Sequence, residues 1–480
     1  MTLSFHGAAR TVTGSKHIIT LSDGRKILLD CGMFQGMGKE SRSLNENFGF
    51  DPATIAVVLL SHAHIDHSGL LPKLIKEGFT GRIICTTPTK ELTEILLNDS
   101  AEIQGYDLEG ALYDSTDVLK TMEQFEMVEY DAWFTVMEGV DILFTSTGHL
   151  VGSTAITVRI KEGRKKTVIL YSGDIGRYRS VLLQPPAEAP PADYIIMEST
   201  YGDKHHDISF NSIETLHEWI QDVCVKKGGQ LIIPAFSVGR TQEVLFALNQ
   251  LSLEKRLPEI NFFIDSPLSL KATQTIKKYH HLFNDRLQEV LLTDDDPFEF
   301  PGLKYVESIE DSRRLGEYKE PCVIISASGT ADAGRVRRHV QNCISDKNCG
   351  VLLVGFCGPR SLGGQLLSGV PEIEINNGPQ PVLARVGHLQ GMSAHGDVDD
   401  LLKFLGNQDP AKVKGIFLVH GEQGVQNIFA EKLTAKDFRR IENPQQHQAF
   451  ELPLKPKRKR KRIYIDPANV ESIVSTGDAA

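Results

Sequence analysis

The chain has 480 residues, of which 41% are hydrophobic, and a formal net charge of −10 at pH 7. This length predicts two or three domains with a large core, and the negative charge excludes a surface that binds nucleic acid everywhere. No apolar run approaches the roughly 20 residues that a membrane-spanning helix needs, and the start lacks the basic-then-apolar order of a secretory signal. We therefore predict a cytoplasmic protein without a membrane partner.

Short apolar runs of strand type alternate with helical patterns from Lys26 onwards, which is typical of an α/β protein. The predicted strands of this first block are 27–29, 57–60, 83–85, 142–145, 168–171 and 194–197. A separate block begins after His206, with predicted strands at 230–233, 262–265, 323–326 and 351–356 and helices between them. This alternation resembles a doubly wound parallel domain.

Residues of metal-binding type occur on both sides of the second block, so we interpret that block as an insertion. The predicted parts are an outer domain at 1–205 and 385–465, an inserted domain at 206–384 and a C-terminal tail at 466–480. The basic run 455–462 is either a solvated surface segment or an arm that contacts a polyanion. The seven cysteines include no CxxC pair, which predicts reduced thiols.

The densest group of ligand-type residues directly follows the apolar run 55–60 and consists of His62, His64, Asp66 and His67. On an extended backbone, His62 and His64 point the same way, while Asp66 and His67 lie at the turn into a helix and face a second point. One loop histidine is usually an ordinary polar residue. Three imidazoles and a carboxylate at this spacing predict two metal ions side by side.

Three further ligand-type residues, His149, Asp174 and His420, each follow a strand-like run. Taken singly, each is as readily a structural residue, but together they complete a seven-ligand set. One zinc ion would be held by His62, His64 and His149, a second by Asp66, His67 and His420, and both by Asp174. Two zinc ions roughly 3.5 to 4 Å apart can lower the pKa of a shared water toward about 7 and clamp the oxygens of a phosphoryl displacement, so the set predicts hydrolysis. Asp30 is either a carboxylate that fixes the tautomer of a ligand histidine or an ordinary strand-end residue.

The order of these motifs resembles the metallo-β-lactamase fold. The segments that carry the resemblance are DCG at 30–32, HAHIDH at 62–67, GHLVGS at 148–153 and SGDIGR at 172–177. Three more segments, MESTYG at 197–202, MSAHGD at 392–397 and VHGE at 419–422, resemble the motifs of the β-CASP nucleases. That branch includes the endonuclease subunit of eukaryotic pre-messenger RNA 3′-end cleavage and many prokaryotic RNA nucleases. The resemblance extends to about Gly424 and implies an α/β fold: an αββα sandwich with an inserted β-CASP domain, which is a parallel sheet flanked by helices.

The resemblance implies a zinc-dependent ribonuclease that hydrolyses single-stranded RNA in a cleft between the domains, in an endonucleolytic or 5′-exonucleolytic mode. Carried over by position, His395 would donate a proton to the leaving ribose oxygen, Glu198 would hold His395, and Asp66 would be a catalytic ligand. The chemistry agrees, because expelling an alkoxide at neutral pH needs an acid near the metals. A histidine beside a carboxylate can supply that proton.

A phosphate cradle is expected where Ser328 precedes a helix, with Arg335 and Arg240 adding positive charge, because a helix N-terminus presents free N–H groups to an anion. The alternative for both arginines is a surface ion pair. The chain departs from the family pattern at Thr330, where methionine is common, and within 357–364. These departures leave the predicted metal ligands intact. They concern how the inserted domain binds the nucleic-acid strand.

Three other functions compete with the ribonuclease. A DNA nuclease of the same fold is disfavoured because the resembling DNA-directed members carry an apolar residue at the position of His420. A non-catalytic RNA-binding scaffold is disfavoured because such relatives lose ligands, and none is missing here. A small-molecule hydrolase would leave roughly 180 inserted residues without a purpose, since a small substrate needs only a pocket. A homodimer is suggested by the resemblance alone.

Overall fold

The computed structural model describes residues 1–453 apart from 39, 106–109, 207–211 and 376–377. The basic run 455–462 and the predicted tail 466–480 lie outside the described residues. Within the described part, the strands form two seven-stranded sheets, one six-stranded sheet and one two-stranded sheet. No helix in this part is long and apolar enough to cross a membrane.

The elements follow one another in a mixed order of strands and helices. The strands are β1 (Thr2–Phe5), β2 (His17–Thr20), β3 (Lys26–Leu29), β4 (Ile55–Leu59), β5 (Arg82–Cys85), β6 (Phe125–Met127), β7 (Phe134–Met137), β8 (Val140–Ser146), β9 (Thr154–Glu162), β10 (Lys165–Tyr171), β11 (Tyr194–Glu198), β12 (Gln230–Pro234), β13 (Asn261–Asp265), β14 (Leu303–Tyr305), β15 (Cys322–Ser326), β16 (Gly350–Leu353), β17 (Glu372–Glu374), β18 (Pro379–Pro381), β19 (Arg385–His388), β20 (Gly415–Val419), β21 (Ile441–Glu442) and β22 (Gln448–Glu451). The helices are α1 (Glu40–Glu46), α2 (Ile65–Ser68), α3 (Leu71–Lys76), α4 (Thr87–Gln104), α5 (Ser115–Glu123), α6 (Ser212–Ile220), α7 (Arg240–Leu253), α8 (Pro267–Lys277), α9 (Asp285–Val290), α10 (Ile309–Leu315), α11 (Arg335–Cys343), α12 (Leu362–Leu367), α13 (Val398–Phe404) and α14 (Gln423–Ala435).

The two seven-stranded sheets pack face to face as a sandwich. Their strand orders are β22-β1-β2-β3-β4-β5-β6 and β21-β20-β11-β10-β9-β8-β7. In β4, Val57 shares a core with Phe417 of the second sheet, whereas its neighbour Val58 packs with Leu71 of α3. Successive side chains of a strand point to opposite faces, so β4 is buried on both sides, which explains its uninterrupted apolar run.

The strand directions bring several loops to one edge of the sandwich. β8 and β10 are both antiparallel to β9, and β10, β11 and β20 are mutually parallel. The carboxyl ends of β8, β10, β11 and β20 therefore meet at one edge of the second sheet. The parallel strands β3 and β4 of the first sheet end immediately before Asp30 and the segment 61–67. The ligand-type residues predicted from the sequence all follow strands of this set.

The inserted domain has a six-stranded sheet in the order β14-β13-β15-β12-β16-β19, and every neighbouring pair is parallel. On one face Leu231 packs with Leu245 of α7. On the other, Ile232 packs with Val340 of α11. Helices therefore cover both faces, as a parallel sheet requires, and the predicted fold class is confirmed.

One strand pairing lies just beyond a predicted domain boundary. β19 (Arg385–His388) pairs with β16, so the six-stranded sheet continues four residues past the predicted end of the inserted domain at 384. The domain boundaries themselves stay a prediction from the sequence. Further along, β20 and β21 complete the second sheet and β22 completes the first.

Candidate metal centre

One group of ligand atoms lies where the loops after β4, β8 and β10 meet. His62 Nε2 is 3.1 Å from His64 Nδ1, and His149 Nε2 is 3.2 Å from the same atom. Asp174 Oδ2 lies 3.5 Å from His62 Nε2 and 3.6 Å from His149 Nε2. These four side chains each offer a ligand atom within 4.8 Å of the others, which is compact enough to surround one ion.

A second group consists of Asp66, His67 and His420. His420 Nε2 is 3.2 Å from Asp66 Oδ2, and His67 Nε2 is 3.9 Å from that oxygen. Asp174 contributes here too, since its Oδ1 lies 3.3 Å from His67 Nε2. The two oxygens of Asp174 thus face different groups of histidines, the arrangement expected of a carboxylate shared by two metal ions.

The protonation and hydrogen bonding of these residues fit metal ligation. Burial lowers the pKa of His62, His64 and His149 below the usual range, to about 4 for His64, so these imidazoles are neutral and keep a lone pair. Asp174 Oδ1 is buried and makes no hydrogen bond. A buried carboxylate oxygen without a donor is costly, and a cation held between the two groups would satisfy it.

Asp30 fixes the orientation of His67. Its Oδ2 accepts hydrogen bonds from His67 Nδ1 at 2.6 Å, Tyr171 Oη at 2.6 Å and Ser61 Oγ at 2.7 Å, while Oδ1 accepts from the Ser61 N–H at 2.7 Å. Because Nδ1 of His67 carries the donated proton, Nε2 is the free ligand atom. The sequence analysis missed Tyr171, whose position as the last residue of a predicted strand beside the site was the available signal.

Two hydroxyl groups orient candidate ligand histidines in the same way. Ser61 Oγ lies 3.0 Å from His62 Nδ1 and donates its own proton to Asp30, so it accepts from the histidine. Thr200 Oγ1 lies 3.0 Å from His420 Nδ1 and donates to the His420 carbonyl. Both histidines therefore turn Nε2 toward the site. The sequence analysis quoted Thr200 within a motif and assigned it no role.

His395 lies beside both groups, with its ring centroid 4.6 Å from that of His149 and 5.5 Å from that of His420. Its Nδ1 is 3.2 Å from Glu198 Oε1, and its Nε2 is 3.9 Å from Asp174 Oδ2. Glu198 is held in turn by the N–H groups of Ile175 at 2.8 Å and Thr200 at 3.1 Å. Burial opposes the charged form of His395, but the Glu198 and Asp174 carboxylates outweigh it and raise the pKa of His395 above its usual range. The arrangement favours an imidazole that carries a proton to donate.

The two arginines predicted to bind phosphate make contacts inside the protein. Arg240 is buried, and its guanidinium donates to the Glu243 carboxylate and the Met392 carbonyl. Arg335 donates to Asp265 Oδ1 at 2.7 Å and to the Val306 carbonyl at 3.0 Å. The charge of each arginine is therefore matched by a carboxylate, which the sequence could not show because it does not reveal which carboxylates lie nearby.

The segment that carries His395 is attached to both domains through its backbone. Arg240 of α7 donates to the Met392 carbonyl, and Arg177, which follows β10, donates to the Gly391 carbonyl. Guanidinium groups from the inserted domain and from the sandwich thus hold adjacent peptide groups. Both contacts lie within four residues of His395 in the chain.

Ser328 is the third residue predicted to contact phosphate, and it stays half-buried after β15. Its hydroxyl lies 3.2 Å from the Thr330 hydroxyl. The Thr330 carbonyl accepts the N–H of Gly363 at 2.9 Å. The two places where the chain departs from the family pattern, Thr330 and 357–364, are therefore in contact with each other.

Comparisons with known proteins agree with this architecture. The family model described as the metallo-beta-lactamase superfamily matches residues 16–222, the Beta-Casp domain matches 241–366, and the Zn-dependent metallo-hydrolase RNA specificity domain matches 379–443. The Beta-Casp match thus lies between the other two matches along the chain.

Several curated proteins are similar over most of the chain. Ribonuclease TTHA0252 of Thermus thermophilus is 35% identical over 419 residues, which are 87% of this chain and 92% of the relative. Transcription termination factor FttA of Methanocaldococcus jannaschii is 28% identical over 438 residues, 89% of this chain and 68% of that protein. Cleavage and polyadenylation specificity factor 73 of Drosophila melanogaster is 31% identical over 423 residues, 87% of this chain and 59% of that protein. With its two-part sandwich, inserted parallel domain and converging ligands, the chain belongs to the β-CASP family of the metallo-β-lactamase superfamily.

Proposed function

We propose that this protein is a metal-dependent ribonuclease that hydrolyses phosphodiester bonds of single-stranded RNA. The observation that carries the proposal is the convergence of seven ligand-type residues in two groups that share Asp174, with His395 beside them. The match to an RNA specificity domain and the similarity to a protein named as a ribonuclease support RNA as the substrate.

The proposed ligands divide into two sets joined by one carboxylate. His62, His64 and His149 would hold one ion, Asp66, His67 and His420 would hold the other, and Asp174 would contact both. Neutral imidazoles and carboxylates are ligands that suit zinc, so we propose two zinc ions per chain. When bound, such ions act as Lewis acids and generate a nucleophile from water at neutral pH.

His395 is the proposed general acid. Glu198 engages Nδ1, which leaves Nε2 as the atom that hands a proton to the departing ribose oxygen. The side chain is 16% exposed, so it is largely enclosed by its surroundings and still accessible to a substrate. A positioned acid of this kind contributes roughly 100-fold or more to a reaction that expels an alkoxide.

The Thr200 peptide links the proposed acid to the proposed ligands. Its N–H binds Glu198 and its hydroxyl binds His420, so one residue contacts both orienting networks. This coupling fixes the position of the proton donor relative to the second ligand group. Such a fixed position matters because a small displacement of a reacting group lowers the reaction rate strongly.

The test compares cleavage of matched single-stranded RNA and DNA, labelled at either end, by the wild type and by His395→Ala with zinc supplied. RNA fragments from the wild type and at most a trace from the variant support the proposal, and the fragment ladder separates internal from 5′-end cutting. Cleavage of DNA with RNA left intact would replace the proposal by a DNA nuclease. Binding of RNA without any cleavage would replace it by a scaffold.

Two further expectations accompany the proposal. A homodimer and a cytoplasmic location both stay predictions from the sequence. Light scattering of the purified protein measures the first, and fractionation of the source cells measures the second.

A further inference from the structure

Phe236 is an aromatic residue that stays partly exposed to solvent in the folded chain. It follows β12, and 40% of its surface is exposed, whereas the nearby residues Ala235 and Val238 are buried in the core. Single exposed apolar residues are common on protein surfaces. The position of this one within the inserted sheet and its neighbours distinguish it from such a residue.

The ring stands where three loops of the inserted domain meet. β12 lies between β15 and β16, and the three strands are parallel, so the loops that follow them share one edge of the sheet. The chain passes from β12 to strands on one side and later to β16 on the other. The carboxyl edge at such a change of direction forms a crevice in which doubly wound domains bind ligands.

Two glycines from the neighbouring loops lie against the ring. A Cβ atom at Gly329, after β15, would stand 2.7 Å from Phe236 Cδ2, and one at Gly355, after β16, would stand 3.4 Å from Cε2. A side chain at Gly329 would therefore displace the ring. The backbone of these glycines lies against one side of the ring, and 40% of the residue's surface stays exposed.

A line of ring contacts connects this crevice with the candidate metal centre. Phe356, the residue after Gly355, makes an edge contact with Tyr201 at a centroid distance of 6.0 Å, and Tyr201 makes a similar contact with His395 at 6.4 Å. The Phe236 loop also touches the sandwich, because a Cβ atom at Gly239 would lie 3.2 Å from Leu150. Phe236 thus lies against Gly355, the residue before Phe356, and the ring contacts of Phe356 lead through Tyr201 to the proposed acid.

We infer that Phe236 is a stacking platform for one unpaired nucleobase of the substrate, close to the phosphodiester bond that is cleaved. The inference rests on the proposed function and adds a specificity-determining residue to it. Every base offers a flat face to an aromatic ring, so stacking is tolerant of sequence. Paired bases are already stacked inside a duplex, so a platform of this kind selects single strands.

Binding is measured first, by fluorescence anisotropy of a labelled single-stranded RNA with His395→Ala as the non-cleaving background. Adding Phe236→Ala is expected to weaken binding by about 10-fold or more, the usual scale for a lost base–aromatic stack. Phe236→Tyr keeps the ring and should bind like the background. Phe236→Leu keeps apolar volume without an aromatic face and should bind like Phe236→Ala.

Leu253→Ala is the matched control. Leu253 is also exposed, at 53%, and ends α7, the helix that begins four residues after Phe236. The axial rise of an α-helix places it about 20 Å from the crevice, so its removal should leave RNA binding unchanged. Equal losses from Leu253→Ala and Phe236→Ala, or no loss from Phe236→Ala, would overturn the inference.

Cleavage of RNAs that each lack one base near the cut then locates the contact. The wild type should cut one of these abasic substrates about 10-fold more slowly than the intact RNA, and Phe236→Ala should show no penalty at that position. The same penalty in both proteins would overturn the inference. If the wild type binds RNA but does not cut it, the proposed function fails and the anisotropy series still decides the role of Phe236. An absence of RNA binding overturns both.

Discussion

The sandwich and the inserted domain form the two walls of the proposed cleft, and they differ in the side chains that they bury and expose. On the sandwich wall, polar groups are buried: Asp30, His62 and His67 are each 0% exposed. In the inserted domain, Arg240 and Arg335 are paired with carboxylates, and 40% of the surface of Phe236 is exposed. The sandwich wall therefore carries the proposed chemistry, while the inserted domain carries the proposed base contact and binds the segment that bears the proposed acid.

The contrast has a physical origin. Buried imidazoles and carboxylates are stable only when each polar atom has a partner, so the sandwich wall needs a dense network such as the one around Asp30. An aromatic contact needs only an open face and a rigid support. The inserted domain can therefore vary its loops with less effect on the metal centre than the sandwich can.

Asp174→Asn should produce the largest effect, because it keeps the shape of the side chain and removes the charge shared by both ligand groups. We expect bound zinc to fall from about two ions per chain and RNA cleavage to fall to background. Elemental analysis and a cleavage assay measure the two effects. A variant that retains both ions and the wild-type rate would show that Asp174 does not bridge, and would weaken the assignment of the chemistry to the sandwich wall.

His395→Ala should slow cleavage by roughly 100-fold or more while zinc stays bound, because the acid is lost and the ligands are untouched. Single-turnover rates and metal content measure this. His281→Ala, at an exposed histidine in the short helix 280–282, is the matched control and should change neither quantity. Loss of zinc from His395→Ala would mean that His395 is a ligand.

Asp30→Asn should lower metal affinity by about 10- to 100-fold, the range for losing a group that orients a ligand histidine. An amide cannot accept all the hydrogen bonds that the carboxylate receives from His67, Tyr171 and Ser61, so the ring of His67 loses its fixed orientation. Competition with a zinc chelator measures the affinity. Unchanged affinity would mean that metal binding at the sandwich wall does not depend on the buried hydrogen bonds of Asp30.

Arg240→Met tests whether the inserted domain acts on the chemistry through the segment that bears His395. Removing one partner of the buried Arg240–Glu243 pair should lower the free energy of unfolding by about 3 kcal/mol, as measured by chemical denaturation. The double variant Arg240→Met/Glu243→Met should recover most of this loss, because neither charge is left alone. We expect kcat to stay reduced by about 10-fold in both variants with KM little changed, since a misplaced acid slows the reacting step. Recovery of kcat in the double variant would reduce Arg240 to a stabilising role.

Local patterns in the sequence predicted much of the sandwich wall. His62, His64, Asp66 and His67 lie within six residues after one strand. An extended backbone indicated a common direction for His62 and His64, and the turn into a helix indicated a second direction for Asp66 and His67. Each further ligand-type residue followed an apolar run, and parallel strands bring such ends to one edge. The alternation of strands and helices likewise predicted the parallel sheet of the inserted domain.

The amino-acid sequence by itself determined the fold class, the family and the set of ligand-type residues, because these are written in short motifs and periodic apolar runs. Only the tertiary structure decided what depends on partners distant in the chain. Arg335 meets Asp265, Tyr171 meets Asp30, and β19 joins the inserted sheet through β16. The same holds for Phe236, whose ring lies against glycines of two other loops. The contacts of a residue and the exposed fraction of its surface are properties of the packed chain, and no local sequence pattern encodes them.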